Sequence, residues 1–116
     1  MSETVIYHNP RCSKSRQTLE LLNERGIDAD IVEYLKTPPD AHMLEHILDL
    51  LGMQPRELMR TGEPEYRELG LDDPALSRQQ LIDAMVEHPK LIQRPIVVNR
   101  NKAALGRPPE DVLRLF

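Results

Sequence analysis

The chain is poor in the residues that make disulfides, aromatic cores and membrane spans. Of its 116 residues one is cysteine, Cys12, none is tryptophan, and the aromatic rings are those of Tyr7, Tyr34, Tyr66 and Phe116. A single thiol excludes an internal disulfide, so a reducing, cytoplasmic setting is expected. The scarcity of rings leaves Leu, Ile, Val and Met to fill the core. No apolar run approaches the ~20 residues of a membrane helix, so no membrane association is expected. The start, Met1-Ser2-Glu3-Thr4, has neither the basic nor the apolar stretch of a secretory leader. A net charge of −4 argues against nucleic acid as a partner. Linkers, repeats and low-complexity stretches are also missing. The length suits one domain spanning residues 1–116, and nothing demands more than a monomer.

Acid is absent from one informative place. Between His8 and Arg16 there are three basic residues, Arg11, Lys14 and Arg16, and no Asp or Glu. An acidic chain that gathers positive charge around its only thiol invites an anion. A solvated basic loop would look the same by charge alone.

The elements place that thiol. Thr4-Val5-Ile6 is β-branched, and Thr4 to Tyr7 predicts a first strand. Ser13 or Ser15 can cap a helix after it that carries Leu19 and Leu22 on one face and ends at Gly26. Ile31-Val32, flanked by Asp30 and Glu33-Tyr34, predicts a second strand, giving a parallel strand–helix–strand crossover. Pro38-Pro39 then breaks the chain. Asp40 can cap a helix bearing Leu44, Ile47, Leu48 and Leu51, closed by Gly52. Pro55 suits the first turn of another helix through Arg60. Gly62, Pro64 and Gly70 punctuate the next stretch. Ser77-Arg78-Gln79-Gln80 has the form of a capping box ahead of Leu81, Ile82, Met85 and Val86. Pro95 to Val98 predicts a strand, Asn99-Arg100-Asn101 a turn, and Lys102 to Leu105 another strand. Pro108-Pro109 opens a last helix through Leu115. The order fits an α/β sheet with a helical insertion at about residues 40–88.

Cys12 therefore sits where a strand turns into a helix, before the amides of a helix N-terminus, a setting that favours the reactive thiolate. A buried, inert cysteine is the alternative, and the polar and basic neighbours argue against it. A protonated His8, four residues earlier, would favour the thiolate further, although a strand-end histidine with a satisfied hydrogen bond fits the spacing as well. A tyrosine-phosphatase loop is excluded because the sixth position after Cys12 is Thr18, and a C-x-x-C dithiol because the third is Ser15. Electrons for any redox cycle must therefore come from an external thiol. His42 and His46 stand at i, i+4, a spacing that can hold zinc, but on the polar face and without a third ligand, so no metal is expected. Among 11 arginines, Arg94 and Arg107 are set apart, each directly before a proline at the edge of a predicted strand. Guanidinium groups match tetrahedral oxyanions in bidentate fashion.

The stretch Ile6-Tyr7-His8-Asn9-Pro10-Arg11-Cys12-Ser13-Lys14-Ser15-Arg16-Gln17-Thr18-Leu19 resembles the N-terminal signature of the glutaredoxin-dependent arsenate reductase family. Tyr34 to Pro39, Glu57 to Arg60, His88 to Val98 and Gly106-Arg107-Pro108 resemble further family blocks in order, closest to its short, chromosomally encoded branch. The resemblance implies a thioredoxin-like fold: a mixed four-stranded sheet flanked by helices, with a helical insertion between the second and third strands. It implies arsenate reduction through a covalent adduct on Cys12, with His8 helping to lower the thiol pKa. Arg60, Arg94 and Arg107, together with Ser15, would hold the oxyanion, and Pro95 would be the cis-proline beside the cysteine. Glutathione would act as cosubstrate and glutaredoxin as partner, with no bound cofactor. Two departures are visible. Ser13-Lys14 stands where plasmid-type members have Gly-Thr, adding charge at the anion site, and those members continue beyond the position of Phe116. A thiol oxidoreductase on another substrate is the nearest alternative. An Spx-like regulator that binds RNA polymerase is a more distant one, since Ser15 removes the second thiol of its usual switch.

Overall fold

A computed structural model describes residues 3–116 and resolves them into two compact units. The first runs through Thr37 and resumes at Arg94–Phe116; the second is Pro38–Gln93.

The first unit holds a four-stranded mixed sheet. Its strands are β1 (Thr4–His8), β2 (Asp30–Glu33), β3 (Ile96–Asn99) and β4 (Lys102–Leu105), in the order β2-β1-β3-β4. β1 and β2 are parallel, joined through helix α1 (Ser13–Glu24), while β3 runs antiparallel to both β1 and β4. This is the thioredoxin-like α/β arrangement that the family resemblance implies. The register sets Ile6 opposite Val97 and Val97 opposite Ala104. Because side chains alternate along a strand, those three share one face. They are fully buried against Leu22 of α1 and against Val112 and Leu115 of the C-terminal segment, with Leu19, Ile27 and Ala29 at the margin. Each branched side chain buried this way contributes about 1.5–3 kcal/mol. α1 ends at Glu24 with Arg25 as its C-cap, and Gly26 then takes φ +69°, the left-handed conformation a helix exit favours.

The final helix differs from expectation. Pro109–Leu115 winds as a 3-10 helix rather than an α-helix. Seven residues opened by a proline, with Pro109, Val112 and Leu115 buried, keep a three-residue spacing that suits the tighter winding.

The second unit is helical. α2 (Ala41–Leu51) starts where Asp40 accepts a 2.8 Å hydrogen bond from the Met43 N–H, and it ends at Gly52 with φ +67°. α3 (Pro64–Glu68) is a short helix where the sequence predicts only breaks; Pro64 at its first turn and Gly70 at φ +64° bracket it. α4 (Arg78–Glu87) opens on the capping box formed by Ser77 and Gln80. Leu44, Ile47 and Leu48 of α2 are buried, as are Leu81, Ile82 and Met85 of α4, and the two helices pack together. The helix expected from Pro55 to Arg60 is a single 3-10 turn, Pro55–Leu58. It stops because Met59 is extended and pairs with Ile92 in an antiparallel bridge, while the Arg60 N–H donates to Leu91 O at 2.7 Å.

Candidate active site

Cys12 is the N-cap residue of α1, with extended backbone angles of φ −92° and ψ 124°. Neither Ser13 nor Ser15 fills that place, which corrects the expected cap. The turn before it is closed by Cys12 N–H donating to Asn9 O at 3.0 Å. Pro10 lies at the second position of this turn, where a fixed φ fits. The thiol makes no side-chain cap bond of the usual kind. Instead its sulfur takes the influence of the helix-start amides and of the Arg94 guanidinium. Partial burial alone would raise its pKa. The Ser15 N–H, a hydrogen bond and charge from Arg94, and the Lys14 N–H together outweigh that and hold the thiol below its ordinary value of 9.0. Two amide donors and a guanidinium around one sulfur stabilise negative charge on the thiolate and on any anion that approaches it.

Arg94 precedes Pro95 at the entrance to β3, and the peptide bond between them is cis. Burial works against its charge, but hydrogen bonds and electrostatic attraction with Cys12 and Tyr34 hold its pKa above the ordinary guanidinium value. Its Nε is buried and has no hydrogen-bond partner among the described residues. Arg107 is exposed, and its Nη1 donates to Arg94 O at 3.0 Å. Between them, Gly106 N–H donates to Pro95 O at 3.0 Å. A Cβ at Gly106 would lie 2.7 Å from Pro95 Cγ and closer still to Thr18 Oγ1, so only glycine fits where β4 leaves the sheet. Arg60 belongs to the second unit, where its Nε is 3.3 Å from Glu63 Oε1.

Two of the expected site residues, His8 and Ser15, bond to each other. His8 is buried at the end of β1, and its pKa is lowered from 6.5. Burial is the main cause, Glu33 pulls the other way, and Arg16 adds to the lowering. Burial thus favours the neutral imidazole at His8 over the cation whose charge would stabilise the Cys12 thiolate. Its Nδ1 lies 2.6 Å from Ser15 Oγ. That same hydroxyl accepts from Asn9 N–H at 3.0 Å and is wholly buried. The Ser15 side chain thus joins β1 to α1, and what Ser15 brings to the sulfur is its main-chain N–H. Asn9 and Tyr34 are site residues that the sequence does not single out. The Asn-Pro pair is a turn signal for the first; the second, one of four aromatic residues, comes directly after β2.

No helix among the described residues is long and apolar enough to cross a membrane.

The chain matches the ArsC family over residues 7–115. It is 58% identical to the uncharacterised protein YfgD of Escherichia coli (strain K12), over 97% of this chain and 96% of that one. It is 51% identical to an arsenate reductase of Neisseria meningitidis, over 97% of each. Among solved structures, that of arsenate reductase from Vibrio cholerae superposes with a TM-score of 0.96 at 50% identity, covering 97% of both chains.

Proposed function

We propose that this chain, which belongs to the ArsC family, reduces arsenate to arsenite, with Cys12 as nucleophile and glutathione and glutaredoxin as the source of electrons. The observation that carries the reading is the sulfur of Cys12 set against the Ser15 and Lys14 amides and the Arg94 guanidinium. Arsenate is an anion near neutral pH and would be repelled by a bare thiolate. The same donors that stabilise the thiolate offset that repulsion and hold arsenic in line for attack.

The steps balance in atoms and electrons. The Cys12 thiolate attacks arsenic(V), and one arsenate oxygen departs as water after taking up solvent protons; arsenic keeps its oxidation state. A glutathione thiolate then attacks the Cys12 sulfur. The S–S bond forms, the S–As bond breaks, and its electron pair reduces arsenic, which leaves as arsenite. Glutaredoxin removes the glutathione from Cys12 by thiol–disulfide exchange and restores the thiolate. Cys12 has no second thiol in the chain to resolve the adduct, which agrees with external recycling. In this scheme Arg94 and Arg107 bind the oxyanion, and Arg60 takes that role from the family motif.

The test is arsenite formation by the purified chain with glutathione and glutaredoxin. Turnover by the wild type and none by Cys12→Ser supports the reading. Normal turnover by Cys12→Ser would falsify it.

A further inference from the structure

Asn9 is among the few buried polar residues, 7% exposed, and the mechanism above gives it no part. Its bonds nonetheless all point at the segment that carries the nucleophile. Its carbonyl accepts from Cys12 N–H at 3.0 Å. Its side-chain Oδ1 accepts from Arg11 N–H at 3.0 Å, closing an Asx turn inside the first turn. Its own N–H donates to Ser15 Oγ at 3.0 Å, the hydroxyl that also meets His8 Nδ1. Three groups of one residue therefore grip Arg11, Cys12 and Ser15: the residue ahead of the helix cap, the cap itself and the third helical position.

Such a grip has a consequence for the sulfur. The N-cap backbone is extended and joins the helix ladder only through its carbonyl, which accepts from Arg16 N–H at 3.0 Å, so the helical φ/ψ do not fix where its side chain points. The direction of the Cys12 Cβ is set by the turn from Asn9 to Cys12, and the position of the Ser15 amide by the hydroxyl anchored below it.

We propose that Asn9 is a positioning residue for Cys12: by tying the end of β1 to the start of α1 it holds the sulfur in front of the Ser15 and Lys14 amides and of Arg94. The proposal rests on Cys12 being the nucleophile, but its test needs no arsenate. The rate of Cys12 alkylation by iodoacetamide is measured against pH in the full chain. In Asn9→Ala the main-chain bonds remain possible and the Oδ1 bond is lost. Its titration midpoint should rise above that of the wild type, and its alkylation rate at a pH below both midpoints should fall roughly five-fold, the scale of one hydrogen bond. Asn9→Ser offers a shorter acceptor and should lie between the two. Leu115→Ala, a core truncation in the same unit, should lower the melting temperature without moving the midpoint, which separates positioning from general stability. An alanine or serine profile that superimposes on the wild type contradicts the proposal. Because the alkylation is read without substrate, failure here and failure to reduce arsenate are separate results.

Discussion

At Cys12 the opposing influences are unequal in kind. Burial disfavours the thiolate, and specific donors overcome it. Of those donors Arg94 is the one a substitution can remove. Arg94→Ala should raise the Cys12 midpoint and lower kcat/KM for arsenate about 100-fold or more. Arg94→Lys should recover little, because a point charge cannot reproduce a fork of planar donors. Steady-state arsenite release and thiol alkylation measure the two effects. The same shift has a sign for stability. A thiol whose folded pKa lies below its unfolded value stabilises the fold fully above the unfolded value, 9.0, and that stability is lost as pH falls through the folded value. The melting temperature of the wild type minus that of Cys12→Ser should therefore grow as pH rises through that window. A difference independent of pH contradicts the depressed thiol. His8 sets a contrasting expectation. Because burial favours its neutral form, His8→Gln, whose side-chain amide can either donate to or accept from Ser15 Oγ, should retain more activity than His8→Ala; equal losses would contradict a hydrogen-bonding role.

At the scale of elements, the parts written in short-range chemistry are legible in the sequence and those depending on distant partners are not. Asp40 and Ser77 cap their helices, and Gly26 and Gly52 end theirs, because each signal acts within four residues. The strand run from Ile96 and the crossover through α1 come from apolar pattern in the same way. The helix at Pro55 is shorter than its local pattern predicts because Met59 is claimed by Ile92, more than thirty residues away. A serine is the commoner helix cap, so pattern points to Ser13 or Ser15 at the start of α1; here the Ser15 hydroxyl is taken by His8 and Asn9, and Cys12 holds the cap position. Two elements give direct tests. Asp40→Ala removes the cap of α2 and should cost about 1 kcal/mol in chemical denaturation. Gly106→Ala drives a methyl group into Pro95 and Thr18 at the exit of β4. It should cost about 2 kcal/mol or more, and because Pro95 is next to Arg94, it should also raise the Cys12 midpoint. A tolerated alanine at 106 would contradict the close packing there.

For the molecule as a whole, the lone cysteine turns from a deficit into a statement about chemistry. The site residues close in sequence, Cys12 and its turn, can be read from charge and pattern. Among 11 arginines, Arg94 and Arg107 stand out only by the prolines after them and Arg60 by no local rule; the family motif alone joins the three. The fold brings Arg94 to Cys12 through the antiparallel pairing of β1 with β3. A chain with one thiol and a thiolate held ready must pass its oxidising equivalent outward. The most direct measurement is the mass of the Cys12 peptide after the purified chain meets arsenate and glutathione with glutaredoxin left out. The account predicts one glutathione on Cys12 for each arsenite released, and none when arsenate is omitted. Arsenite released with Cys12 unmodified and no glutathione consumed would contradict it.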